Sequence, residues 1–254
     1  MIDLTGRVAL ITGSSRGLGR ACAVRLAEAG ADVIVNYVTS RTAADEVARE
    51  VQAFGRRTAV VKADVSRQDD VLSLMEFIRD HFGSLNILVS NAASGGFRSL
   101  MASSALNFEA TMNTNVRALM FLVQAASPLM ERSVGRAKVI ALSSHGAAFA
   151  LPFYGLIGAS KAALEALVRH FALELGGVGI NFNIVQAGLL DTDASRQIPN
   201  FDELARMAQS KSMVGERRLE LRDAADAVLF LASPLSDLIQ GQTIVVDGGA
   251  STRA

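Results

Sequence analysis

No uninterrupted apolar stretch in this 254-residue chain approaches the roughly 20 residues that a membrane span needs, although half of the residues are apolar. The start, MIDLTGRVALITG, also lacks a basic segment followed by a long apolar run and a small-residue cleavage site, so a soluble, cytoplasmic location is expected. The single cysteine, Cys22, excludes a disulfide within the chain, and beside Ala21 and Ala23 in an apolar helical stretch it reads as a packed core thiol rather than a nucleophile. An excess of charge of one sign is missing too. With 25 basic and 25 acidic residues, no long-range field favours nucleic acid or an anionic membrane as partner. Histidines number only three, and no cluster of His, Cys and carboxylates has metal-ligand spacing. His81 and His170 read as helix-surface residues. His145, with no carboxylate at a suggestive spacing, reads as a loop residue rather than a general base.

What the chain does have is alternation. Short, apolar, β-branched runs at Val8 to Ile11, Val33 to Asn36, Thr58 to Lys62, Ile87 to Ser90, Lys138 to Leu142, Asn181 to Val185 and Thr243 to Val246 read as seven buried strands. Between them, apolar residues recur at helical spacing in Gly17 to Ala29, Thr42 to Phe54, Gln68 to His81, Asn107 to Met130, Gly158 to Leu175 and Arg222 to Ala232. Such a pattern predicts crossover connections and one α/β domain, doubly wound in the Rossmann manner, with a seven-stranded parallel sheet and helices on both faces. No repeat, low-complexity tract or linker interrupts it. Asp191 to Glu220, with Pro199, Asn200 and Gly215, is long for a connection and is expected to be a helical lid over the substrate.

After the first strand, Thr12-Gly13-Ser14-Ser15-Arg16-Gly17-Leu18-Gly19 opens directly into a helix. Glycines there let the backbone turn tightly and approach a pyrophosphate, which the helix N-terminus favours. The second strand ends in VIVNYVTSR, and at Asn36 there is no carboxylate to bind an adenosine ribose and repel a 2′-phosphate. Arg16 and Arg41 are instead placed to pair with that phosphate, which favours NADPH over NADH, although Arg41 also fits a solvated charge at a helix start. Asp64, followed by Val65, is placed either to receive the adenine amino group or to cap the next helix.

Together with Thr12 to Gly19, the motifs Asn91-Ala92-Ala93, Asn115, Ser144, Lys161 and Val246-Asp247-Gly248-Gly249 occur in an order that resembles the short-chain dehydrogenase/reductase family over nearly the whole chain. Within it, Tyr154-Gly-Leu-Ile-Gly-Ala-Ser-Lys161 resembles the enoyl-acyl-carrier-protein reductase branch, which places six residues between its Tyr and Lys rather than three. The usual Tyr position, four before Lys161, is Ile157. Asn91-Ala-Ala-Ser-Gly95 and the segment from Asp191 through Asn200 look like the NADPH-specific type III enoyl reductases of bacilli. On a helix a separation of seven would put Tyr154 and Lys161 on one face about 10 Å apart along the axis, against about 6 Å for a separation of four.

That resemblance implies that Asn91 steadies the strand end beside the adenosine, Lys161 holds the nicotinamide ribose, and Leu190 with Thr192 meets the carboxamide. It further implies a proton-relay role for Asn115 and a homotetramer built on Asn107 to Met130, Gly158 to Leu175 and the C-terminal segment. Ala93 and Ala187 depart from the family's Gly and Pro, and Ser144, the hydroxyl used in ketone reduction, is retained. Tyr154 is then the expected proton donor, its pKa lowered by the Lys161 charge. Ser143 and Ser144 either hydrogen-bond the substrate carbonyl or only end the fifth strand, the second reading being favoured for Ser143. Phe97, Leu100, Met101, Phe149, Phe153, Ile198, Phe201, Met207 and Met213 offer an apolar trench for an acyl chain. The expected substrate is a trans-2-enoyl thioester on acyl carrier protein or coenzyme A, in fatty-acid synthesis. Lys211, Arg217 and Arg218 would face an acidic carrier or, the favoured reading, only solvent. A 3-oxoacyl or polyketide ketoreductase stands as the alternative within the family, and a non-catalytic NADPH-binding protein as one outside enzymes.

Overall fold

In the computed structural model, which describes residues 2–253, all seven apolar runs become strands of one parallel sheet ordered β3-β2-β1-β4-β5-β6-β7. These are β1 (Val8–Ile11), β2 (Asp32–Tyr37), β3 (Thr58–Lys62), β4 (Ile87–Ser90), β5 (Ala137–Ser144), β6 (Ile180–Ala187) and β7 (Thr243–Val246). Residues alternate between the two faces of a strand, and each face needs its own cover. Val8 and Leu10 accordingly join Leu74, Leu119 and Val168 in one core, while Ala9 and Ile11 join Cys22, Leu26, Val47 and Val228 in the other. The first core lies under helices α3 (Gln68–Phe82), α5 (Ala118–Met130) and α6 (Gly155–Leu175), the second under α1 (Gly17–Glu28), α2 (Arg41–Ala53) and α8 (Leu221–Ala232). Cys22 is fully buried and its thiol is pushed up to about 12 by desolvation, which makes it chemically inert.

Three features differ from the sequence expectation in ways that bear on the site. The strand β7 sits at the sheet edge with Val245 45 % exposed, so it is not buried on both faces as the other apolar runs led one to expect. The long helix expected from Asn107 to Met130 is instead α4 (Ala105–Met112), a π turn at Asn113–Arg117, and α5. Ser104 starts α4 by accepting from the Asn107 N–H at 3.2 Å, while its own N–H donates to Asn107 Oδ1 at 3.1 Å. Finally, α6 begins at Gly155, so Tyr154 caps the helix rather than lying within it, with φ −106° and ψ 5°.

Strand order reverses between β1 and β4, and a crevice opens where neighbouring connections leave in opposite directions. The carboxyl ends of β1, β4, β5 and β6 put the glycine loop, Asn91, Ser144 and Leu190 along this one edge. The segment after β6 contains α7 (Phe201–Lys211), of which only Phe201 is buried.

Candidate active site

Seen from the backbone, the glycine loop is a knot of partly buried hydrogen bonds beneath an open helix end. Thr12 Oγ1 accepts from the N–H groups of Asn91 and Ala92, both at 3.0 Å, and Asn91 Nδ2 returns donors to the carbonyls of Thr12 at 2.8 Å and Gly13 at 3.0 Å. Gly13 and Gly17 hold φ of 62° and 55°, which side chains resist, and at Gly19 a Cβ would lie 2.5 Å from Asn91 Nδ2. Arg16 occupies the N-cap of α1 and gives it no side-chain hydrogen bond. The first N–H groups of α1, beside Ser15 and Leu18, are thereby left to an anion, the arrangement that suits a pyrophosphate.

Asn36 does not occupy the place expected of it. Strand β2 runs one residue further, to Tyr37, and the fully buried Asn36 side chain turns inward, accepting from Gly13 N at 3.0 Å and donating to Ala63 O at 3.0 Å. It braces the glycine loop instead of facing a ribose. Arg16 and Arg41 are both exposed beside carboxylates, Arg16 at 4.0 Å from Asp193 and Arg41 at 2.9 Å from Asp45. Exposed pairs of this kind exchange partners at little cost. Asp64 accepts from the Ser66 N–H at 3.0 Å and its hydroxyl at 2.7 Å, so it closes the turn that leads into α3, next to the buried Val65. Thr192 stands over the loop, with its Cγ2 3.6 Å from where a Gly17 Cβ would be. A residue that the motif reading passed over fixes this turn: Ser195 Oγ donates to Leu190 O at 2.6 Å and accepts from Thr192 N at 2.9 Å.

Tyr154, Ser144 and Lys161 converge at the end of β5. The Tyr154 hydroxyl donates to Ser144 Oγ at 2.9 Å, and Lys161 Nζ donates to Leu142 O at 2.7 Å. Burial raises the Tyr154 phenol above its ordinary value, against the hydrogen bond to Ser144, and Lys161, turned towards the Leu142 carbonyl, does not offset this. The expected lowering by the Lys161 charge is therefore absent in the free protein. Lys161 itself is brought down from 10.5 to about 8 by desolvation, opposed by the Glu165 carboxylate one turn further on. Ser143 donates to Glu165 at 2.6 Å and so is occupied away from the cleft.

Asn115 lies in the π turn, a distortion frequent at functional sites. Its Oδ1 accepts from Ser94 N at 2.7 Å while Nδ2 donates to Ser94 O and Ser160 Oγ, each at 2.9 Å. With both amide hydrogens engaged, the side chain braces the loop after β4. A cleft of about 680 Å³ opens over Tyr154, lined by Leu100, Phe149, Leu151 and Phe153, with Arg98 beside them. Ile198 and Phe201, expected in the same trench, line a separate hollow with Arg196 and Arg206, and Met213 packs on Gly249 instead. His145, read as lacking a carboxylate, has Asp247 Oδ2 3.1 Å from its Nε2.

Residues 13–251 match a family model described as enoyl-(acyl carrier protein) reductase. The chain is 35 % identical over 246 residues to 1-cyclohexenylcarbonyl-CoA reductase of Streptomyces collinus, which covers 96 % of this chain and 87 % of that protein. It is 33 % identical to the hydroxynaphthalene reductase-like protein Arp2 of Metarhizium robertsii, over 98 % of this chain and 97 % of that one. A short chain dehydrogenase from Burkholderia cenocepacia, solved in complex with NADP, superposes with a TM-score of 0.86 at 34 % identity, covering 98 % of this chain and 99 % of that one. A glycine loop at the β1 end, a Tyr and a Lys at the β5 end and full-length relatives agree, and the chain belongs to the short-chain dehydrogenase/reductase family of oxidoreductases.

Proposed function

We propose that this protein is an NADPH-dependent reductase of 2,3-unsaturated acyl thioesters, with Tyr154 as the hydroxyl that meets the thioester oxygen. The observation that carries this reading is the position of the phenol. Of the two tyrosines in the chain, Tyr37 is buried on β2, and residue 157, four before Lys161, is an isoleucine only 7 % exposed. Tyr154 is thus the one phenol at the cleft.

NADPH, when bound, supplies hydride to the substrate carbon. In ketone reduction the oxygen to be protonated sits on that same carbon, and a close hydroxyl suffices. Reduction of an enoyl thioester puts charge on an oxygen two carbons further along, so its stabilising hydroxyl must be displaced outwards. Tyr154, just before α6 and three residues ahead of the usual position in the chain, is the residue we assign to that displaced role. A donor at a developing oxyanion is worth about 2.7 to 4 kcal/mol, enough to make its position selective. Ser144 orients the phenol, and Lys161, on α6, holds the nicotinamide ribose. Arg16 and Arg41 are the cations that favour a 2′-phosphate, and the Streptomyces relative supports the thioester class because its named substrate carries a double bond beside a CoA carbonyl.

A second reading, reduction of a ketone, draws on the retained Ser144–Tyr154 hydrogen bond and on the hydroxynaphthalene reductase-like relatives. Initial rates with crotonyl-CoA and acetoacetyl-CoA, each with NADPH, separate the two. Preferential turnover of crotonyl-CoA is expected, and turnover of acetoacetyl-CoA alone overturns the proposal.

A further inference from the structure

His145 and Asp247 follow directly on β5 and β7, strands that do not touch because β6 lies between them. The fold nevertheless brings their side chains together above the end of β6. His145 Nε2 is 3.1 Å from Asp247 Oδ2, and both side chains are largely withdrawn from solvent. The ring N–H does not point along that line, and among the described residues Nε2 has no hydrogen-bond partner. The two side chains are therefore held in contact by closeness and burial and not by a directed hydrogen bond.

Each partner is fastened to a different part of the molecule. On one side the His145 ring meets Phe149 edge-on at 6.3 Å and 86°, and Phe149 lines the cleft over Tyr154. On the other side Asp247 closes the C-terminal turn, Oδ1 accepting from Gly249 N at 2.7 Å and Oδ2 from Ser251 N at 2.8 Å. That turn grips the far end of the segment containing α7. Met213 N donates to Gly248 O at 2.8 Å, and Gly249 lies so close to Met213 that a Cβ there would be 2.3 Å from its Cε. The near end of the segment meets the same carboxylate residue, since a Cβ on Gly188 would lie 3.0 Å from Asp247 Cβ.

We infer that His145 and Asp247 form a positioning pair that ties the Phe149 wall of the substrate cleft to the C-terminal turn and, through it, to the segment carrying α7, so that this wall is held in place. The inference rests on this cleft being the substrate site, whichever carbonyl compound it takes. The pair is separate from the residues assigned to catalysis and cofactor binding and acts through the turn at Asp247 to Ser251.

Hydrogen–deuterium exchange of the amides from Gln209 to Val214, measured with steady-state kinetics, tests it on the full chain. With His145→Phe, exchange in that stretch should speed up at least fivefold and KM for the acyl thioester should rise at least fivefold, while kcat stays within about twofold. His145→Gln, whose amide can reach the carboxylate, should recover most of both effects. If the Phe variant does not fold, the isosteric Asp247→Asn takes its place with the same expectations. Unchanged exchange, equal effects of the Phe and Gln variants, or a fall in kcat with KM unaltered would overturn the pair. Exchange and its rescue decide the matter even if the wild-type enzyme prefers a ketone, so failure of the substrate assignment remains distinguishable.

Discussion

Ile157 packs directly on Gly95: a Cβ at residue 95 would lie 2.5 Å from Ile157 Cγ1 and 3.0 Å from Cδ1. The position that carries the phenol in the common pattern is here sealed against the loop after β4. That loop is itself fastened by Asn115, which holds Ser94 at both its N–H and its carbonyl. A larger ring at residue 157 has no space to enter. Ile157→Tyr should therefore lower stability by about 1 to 3 kcal/mol, as overpacked cores do, without creating ketone reduction. Urea denaturation and an acetoacetyl-CoA assay check both halves.

Removing the proposed donor should separate binding from chemistry. Tyr154→Phe is expected to reduce kcat by about a hundredfold to a thousandfold, the usual loss for one oxyanion donor, with NADPH affinity nearly unchanged. Ser144→Ala removes only the acceptor that orients the phenol at 2.9 Å, and a loss below about tenfold is expected with crotonyl-CoA. An effect of Ser144→Ala as large as that of Tyr154→Phe would favour the ketone reading. Steady-state kinetics and NADPH fluorescence titration give the comparison.

Cofactor choice should depend on two exposed cations. Arg16 and Arg41 each stand beside a carboxylate, but surface pairs are worth at most about 1 kcal/mol, whereas a charge-assisted bond to phosphate contributes about 1.5 to 3 kcal/mol. Arg16→Ala and Arg41→Ala should each weaken NADPH binding by roughly tenfold to a hundredfold and leave NADH nearly unaffected. Titration calorimetry with both cofactors is the measurement, and equal losses would remove the arginines from discrimination.

Lys161 makes a prediction about stability that does not depend on any substrate. Desolvation brings its folded-state value from 10.5 to about 8. In the unfolded chain the lysine stays protonated up to 10.5, so between pH 8 and 10.5 the unfolded state binds more protons and stability rises with pH. The penalty, fully present below pH 8, amounts to roughly 3 kcal/mol. Lys161→Met should thus be more stable than wild type at pH 7, with the gap closing towards pH 10. Lys138, lowered by burial against its bond to Asp237, shifts in the same direction, and the difference between wild type and Lys161→Met isolates Lys161. Urea denaturation at pH 7, 8.5 and 10 follows the gap, and a constant gap would contradict the shift.

Much of this architecture was legible because it rests on local rules. Apolar runs separated by helical periodicity specify a parallel sheet, and β1, β3, β4 and β7 have the ends read from those runs. Glycines at 13, 17 and 19 carried their own explanation, two in positive φ and one crowded by Asn91. What escaped was set by tertiary contacts. Periodicity does not reveal the π turn at Asn113–Arg117, because the run that follows, Ala118–Met130, is apolar on nearly all sides and hides a one-residue shift of phase. Asn36 looks like a strand end, yet the sheet continues one residue further and turns its amide into the glycine loop. His145 finds Asp247 only because two strands distant in sequence flank β6. The pKa of Tyr154 depends on where the Lys161 side chain turns, which no spacing discloses.

The central claim is that the hydroxyl of Tyr154 serves an oxygen two carbons away from the carbon that receives hydride. Its most direct test is to run the enzyme with NADPH deuterated at C4 of the dihydronicotinamide, supply crotonyl-CoA and acetoacetyl-CoA together, and locate deuterium in the products by mass spectrometry and NMR. The account predicts butyryl-CoA labelled at C3 with acetoacetyl-CoA left largely untouched. Deuterium on the carbinol carbon of 3-hydroxybutyryl-CoA, with crotonyl-CoA unconsumed, would contradict it.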